Sequence, residues 1–180
     1  MLSTLPDLDP WLPDPSIRVV HHRQSTASTD RLWLAARQTK LRDTRLLGRL
    51  VHWRLPGVAA DSSFEDLFRS PPFLVLDEAD RWLVSGIVGR IWTLRRDYPI
   101  LDSLTEFRRW STSGTAKVVF AHSAQATEDG RSALRTEVRG EAFGVQGQLG
   151  LASVRPLIHG FEHLVGSDAL AAAVRRAERD

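Results

Sequence analysis

Apolar positions in this chain change period several times, and each change marks an element. Residues 5–16 have no period at all: four prolines fall within twelve positions, which forbids helix and weakens any strand. This stretch reads as an extended Pro-rich arm, either docked through Trp11 or loose as chain ends commonly are. Residues 17–24 predict a strand carrying Ile17, Val19 and Val20. Ser28-Thr29-Asp30 then offers a side-chain oxygen to an orphan amide, and a short helix follows through Leu32, Trp33, Ala35 and Ala36. Between Leu41 and Trp53 the period is again helical, with Leu46, Leu47, Leu50 and Val51 on one face and Arg42, Arg45, Arg49 and His52 on the other. Ser62 or Ser63 with Asp66 predicts a cap for a helical turn over 64–68.

The middle of the chain turns to strands. Residues 73–76 and 82–93 form two runs separated by Asp77-Glu78-Ala79-Asp80. Gly86 and Gly89 in the second run mark a bulge or a place where something packs on the backbone. Ser103-Leu104-Thr105-Glu106 is a capping box, so residues 104–110 predict a helix. Residues 115–127 and 131–141 flank Glu128-Asp129-Gly130 as a hairpin. Val118, Phe120 and His122 share one face of its first strand. On its second, Leu134, Thr136 and Val138 oppose Arg135, Glu137, Arg139 and Glu141, which predicts a sheet with one covered and one wet side. Ion pairs of Glu137 with Arg139, Arg90 or Lys117 are expected on the wet side. Leu151, Val154, Ile158, Phe161 and Val165 then step by three and four, a helical stripe interrupted by Pro156 and renewed after Gly166-Ser167-Asp168. Gly144, Gly147 and Gly150 before it imply either close approach to the sheet or a frayed lead-in. The order is strand, two helices, antiparallel strands and a long C-terminal helix, an α+β layering in which that helix covers the dry face.

Length and composition narrow the function classes. At 180 residues the chain fits one domain, here 17–180 behind the arm at 1–16. With no cysteine it has no disulfide, thiolate metal cage or cysteine nucleophile. No apolar run reaches transmembrane length and the N-terminus lacks a signal pattern, so a cytoplasmic protein is expected. The net charge is +2, but residues 17–60 carry +7 and residues 61–80 carry −5. Nearly all the cations are arginine, which suits planar oxyanions and equally reflects a GC-rich coding bias. The Arg42, Arg45, Arg49 and His52 face allows peripheral contact with anionic headgroups. No phosphate loop, zinc finger or RNA-binding aromatic string is present, so nucleic acid is not expected.

Several strings, in order, resemble the START/Bet v 1-like (SRPBCC) superfamily over roughly residues 17–178. They are Leu41-Arg42-Asp43 with Arg54-Leu55-Pro56-Gly57; Gly86-Ile87-Val88-Gly89-Arg90-Ile91-Trp92; Phe107 followed by Gly114-Thr115-Ala116-Lys117; Thr136-Glu137-Val138-Arg139; and Arg175-Arg176-Ala177-Glu178. All are similar to a bacterial branch of that superfamily. Thr115 stands where the branch carries an aromatic, and Ala121 where it often has Asn. The resemblance implies a helix-grip fold, a curved antiparallel sheet wrapped around a long C-terminal helix, with an apolar cavity between them. It implies a hydrophobic ligand (lipid, sterol or polyketide-like) and neither cofactor nor metal. Side chains expected to line the cavity are Trp33, Trp53, Val84, Val88, Trp92, Phe107, Val118, Phe120, His122, Thr136, Leu151 and Ile158.

Two other readings stay open. A polyketide cyclase or aromatase on the same fold needs an acid and a base facing inward, with His122, His159 and Arg90 as candidates. An interaction module would have a filled cavity and a partner for its arm or basic helix. His159-Gly160-Phe161-Glu162-His163 matches a zinc-protease string. The chain lacks a third ligand at the right spacing, however, and surface or groove-lining histidines are the expectation. His21 and His22 alternate across a strand and cannot chelate together.

Overall fold

The computed structural model describes residues 5–44, 48, 58–93, 98–161 and 167–179, apart from the side chains of 154–161 and 167. The expected faces of the helix between Leu41 and Trp53, Trp53 itself, and the second half of the His159–His163 string fall outside the described residues.

Short helices begin where the sequence supplies caps. β1 (Ile17–Ser25) leads into α1 (Thr29–Gln38), whose first turn is closed by Ser28 Oγ accepting from Arg31 N at 3.4 Å. A single 3-10 turn follows at Leu41–Asp43. In α2 (Phe64–Arg69) the cap is reciprocal: Ser63 Oγ accepts from Asp66 N at 3.0 Å, and Asp66 Oδ2 accepts from Ser63 N at 3.3 Å. β2 (Leu74–Ala79) and β3 (Trp82–Gly89) form a hairpin, shorter at its far end than the sequence run because β3 stops at Gly89. α3 (Leu104–Arg109) starts at Ser103, which accepts from Glu106 N. β4 (Thr115–Ala126) and β5 (Ser132–Phe143) make the long hairpin that Glu128-Asp129-Gly130 predicts.

The five strands form one antiparallel curved sheet in the order β1-β5-β4-β3-β2. The C-terminal stripe is divided between two helices, α4 (Gly144–Phe161) and α5 (Ser167–Arg179). The helical backbone of α4 continues through Pro156, and the fresh start expected near Ser167 is where α5 begins. Of the two readings of the glycine series, close approach applies at Gly150: a Cβ there would lie 2.2 Å from the Trp92 ring.

Register assigns every strand residue to a face. Leu83, His122, Thr136 and His21 are successive partners across β3, β4, β5 and β1, so they form one row on the inner face. Leu134, Ala124 and Leu83 on that face pack against Leu32, Trp33 and Ala35 of α1, Leu67 and Phe68 of α2, and Leu170, Ala173, Val174 and Ala177 of α5.

The other face is not wet, and here the alternation in β5 misleads. Leu8, Trp11 and Leu12 of the arm are buried on it together with Leu76, Val84, Val88, Leu101, Phe107, Val119 and Ala121. Trp11 meets Phe107 edge-on at 6.4 Å, and the Arg108 guanidinium lies 4.4 Å above the Trp11 ring. Phe107 sits on the bare backbone of Gly86, where a Cβ would come within 2.4 Å of its ring. The charged row of β5 is absorbed under this cover. Glu137, 6% exposed, accepts from Arg18 Nε at 2.8 Å, Arg139 Nε at 2.8 Å and Arg135 Nη2 at 2.5 Å. Arg139 in turn holds the arm through Asp9 Oδ1 at 2.6 Å and the Leu12 carbonyl at 3.0 Å. Burial pushes the Glu137 carboxyl upward, but the hydrogen bonds from Arg18 and Arg139 outweigh it and hold the group below the usual range. Lys117 is not a partner of Glu137: its ammonium donates to the Arg108 carbonyl at 3.2 Å, near the Phe107 and Phe143 rings. Burial lowers its pKa, opposed in part by Glu141.

Candidate functional site

A half-open cavity lies between the inner face of the sheet and the helices α1, α2 and α5. Trp33 and Ala36 come from α1, Phe64 and Phe68 from α2, Leu83 and Leu134 from the sheet, and Leu170 and Ala173 from α5. The space measures about 50 Å³. At roughly 10–15 Å³ of such space per water it would hold about three to five waters, or the bulk of about one aromatic ring. Two of its polar wall residues, His122 and Thr136, are neighbours in the cross-sheet row, with His122 Nδ1 3.1 Å from Thr136 Oγ1. Charge is confined to residues that keep a route to water. Arg37 grips Glu65 with two bonds, Nε to Oε2 at 2.8 Å and Nη2 to Oε1 at 2.6 Å. Arg69 adds a second cation to Glu65 at 3.0 Å and continues to Glu78. The hydrogen bond from Arg37 holds the Glu65 carboxyl below its ordinary range.

His122 is chemically distinct from everything around it. Its ring stacks at a tilt on Phe68 with centroids 4.4 Å apart, and burial pushes its pKa down to about 4, so the imidazole is neutral at pH 7. Its Nε2 is enclosed and has no hydrogen-bond partner among the described residues. Ser85 Oγ, on the inner face of β3, is in the same condition. An unmet buried polar group costs about 1–3 kcal/mol, so both atoms call for a partner, and they lie within one patch of the sheet. Phe68, Phe73 and Phe120 pack beside this patch at centroid distances of 5.1–5.8 Å.

Of the side chains expected to line the cavity, Trp33, His122 and Thr136 do so. Phe120 stands behind the wall against Phe68, and Val118 lies further along the same face. Val84, Val88 and Phe107 are on the opposite side of the sheet beneath the arm. The reason is strand parity: with Leu83 facing in, its neighbour Val84 faces out, and Phe107 follows Gly86 and Val88 to that side. Trp92 and Leu151 belong to a separate cluster with Ala116 and Ala142. Trp53 and the side chains of Ile158 and His159 are not among those described. Arg90 is exposed at the end of β3 and does not line the cavity. Sequence reasoning missed Phe64, Phe68, Leu83, Leu170, Ala173 and the Arg37–Glu65 pair. The i, i+4 spacing of Phe64 and Phe68 on a capped turn was a usable signal, and so was a serine inside the apolar run of β3.

No helix among the described residues is long and apolar enough to cross a membrane. No family model matches the chain, and no curated protein does either. Solved structures do resemble it. A hypothetical protein of Helicobacter pylori is 11% identical, with a TM-score of 0.44 and 98% of each chain covered. The di-domain aromatase/cyclase BexL of the BE-7585A biosynthetic pathway is 13% identical at a TM-score of 0.44, covering 94% of this chain and 53% of its own. The ZhuI aromatase/cyclase of a Streptomyces species is 16% identical at 0.35, covering 91% of this chain and 94% of its own. The chain itself has a curved five-stranded antiparallel sheet with helices α4 and α5 at its C-terminal end.

Proposed function

We propose that this protein binds a hydrophobic small molecule in the cavity between the sheet and α5. The observation that carries the reading is the lining: aromatic and aliphatic side chains from three helices and two strands converge on one half-open space, with a single neutral imidazole in its wall. Such a composition, apolar walls with a few placed polar groups, is what small-molecule sites have in common. The volume is below the roughly 300–1,000 Å³ of drug-sized sites. The part of the ligand held here is therefore about one ring in bulk, and a lipid, sterol or polyketide-like molecule would enter by one end.

Binding is favoured over cyclase or aromatase chemistry by the state of the titratable groups. A general acid or base works best with a pKa near the operating pH, and His122 is pushed well below it. Glu65 is held ionised by two arginines, and the hydrogen-bond partner of His122 is a threonine.

Native mass spectrometry of the protein purified under mild conditions is the direct test, with a co-purifying mass of hydrophobic character expected. As a control, Ala173→Leu fills the cavity from α5 and should remove that mass while the protein remains folded by circular dichroism. Retention of the same mass by the filled variant would overturn the reading.

A further inference from the structure

The geometry points to His122 and Ser85 as a two-donor receptor for one acceptor oxygen, a carbonyl, on the ligand proposed above. Leu83 pairs with His122 and Ser85 pairs with Phe120, so Ser85 and His122 are diagonal neighbours on adjacent strands and the same face. Diagonal neighbours stand roughly 7–8 Å apart at the backbone. No direct bond joins their tips, and this spacing suits a single bridging oxygen. Ring geometry gives the direction. His122 turns Nδ1 toward Thr136 on β5, so Nε2 is turned away from β5, to the side on which β3 and Ser85 lie.

The tautomer follows from counting protons. If Nδ1–H donated to Thr136, the threonine hydroxyl proton would need another acceptor, and the described residues offer none. If Thr136 O–H donates to Nδ1, that one bond serves both groups and the imidazole proton sits on Nε2. Nε2–H and the Ser85 hydroxyl are then two donors with no acceptor among the described residues, and a carbonyl oxygen carries two lone pairs for them. Phe68 lines the cavity and stacks on His122, so a turn of that ring opens the route from cavity to receptor. The ligand class is an apolar, ring-sized group bearing a ketone, aldehyde or ester carbonyl.

This rests on the cavity-binding reading, and the test separates the two. The probes are acetophenone and α-methylstyrene, which share a shape and differ in an oxygen replaced by a methylene. Titration followed by NMR should show acetophenone binding at least tenfold more tightly. Ser85→Ala and His122→Phe should each reduce that preference severalfold while leaving α-methylstyrene unaffected, and His122→Gln, which keeps a donor, should retain part of it. The wild-type imidazole ¹⁵N shifts should show the proton on Nε2, with that signal moving on acetophenone addition. Equal binding of both probes, or a preference that survives both Ser85→Ala and His122→Phe, overturns the receptor and leaves the cavity reading standing. If neither probe binds, both the receptor and the cavity reading are overturned.

Discussion

His122 makes a prediction of its own at the scale of single residues. Its folded pKa of about 4 lies below the ordinary 6.5, so between those values the unfolded chain binds more protons than the folded one. Stability therefore rises with pH across that window, is complete above about 6.5, and falls as pH drops toward 4. The loss from this one group is about 2 kcal/mol between pH 7 and 5. The charged neighbours that border the same cavity, Arg37, Glu65 and Arg135, and His21 in the same cross-sheet row, are unchanged by substitution at 122. Urea unfolding at the two pH values, compared between wild type and His122→Gln, should show the slope flatten in the variant. Gly86 gives a second expectation. Alanine there drives a methyl into the Phe107 ring and toward Leu76 Cδ1 at 3.0 Å. Overpacking of this kind costs about 1–3 kcal/mol, readable as a lower urea midpoint at unchanged m-value. Both residues were marked in the sequence, the histidine by its apolar face and the glycine by its place in a strand. What each meets was not legible, because the partners Phe68 and Phe107 lie on helices whose docking depends on the whole sheet.

For elements, local chemistry was a good guide and layer assignment a poor one. Ser28, Ser63 and Ser103 cap helices where their spacing says they should, and the β4–β5 hairpin turns where Asp129-Gly130 says it should. Alternation in β5 revealed two faces, but it could not reveal that its charged one is roofed. The arm that covers it has no periodicity to read. Its hold on the sheet is tertiary: Leu8, Trp11 and Leu12 against apolar β3 and β4, and Asp9 on Arg139. Trp11→Ala should therefore cost about 3–5 kcal/mol, as large-to-small changes of buried aromatics do, measured by thermal or urea unfolding. Glu137→Ala leaves the partly buried Arg135 and Arg139 facing each other with no anion between them. A loss of about 3 kcal/mol is expected by analogy with broken buried pairs, and Glu137→Gln should recover part of it. If Glu137→Ala unfolds with wild-type urea dependence, the cluster is ornamental.

Taken whole, the molecule is a sheet clothed on both sides, by helices on one face and by the arm with α3 on the other. Since both apolar layers share the same strands, loss of either should bring down the other. Tryptophan fluorescence and far-ultraviolet circular dichroism should trace one coincident urea transition, and separate transitions would show that the arm layer melts alone. Layer order of this kind was legible in the sequence for the inner side, where the C-terminal stripe demanded a surface to cover. The outer side was hidden because a proline-rich segment advertises neither helix nor strand.

β5 serves two masters. Its Leu134 and Thr136 face the cavity, and its Glu137 and Arg139 secure the arm. A slip of one residue along β4 would turn the carboxylate and the guanidinium into the apolar space and strand the threonine beneath the arm. Each compartment thus proofreads the alignment of the other. The amide hydrogens of β4 and β5 should accordingly be the last in the chain to exchange with deuterium.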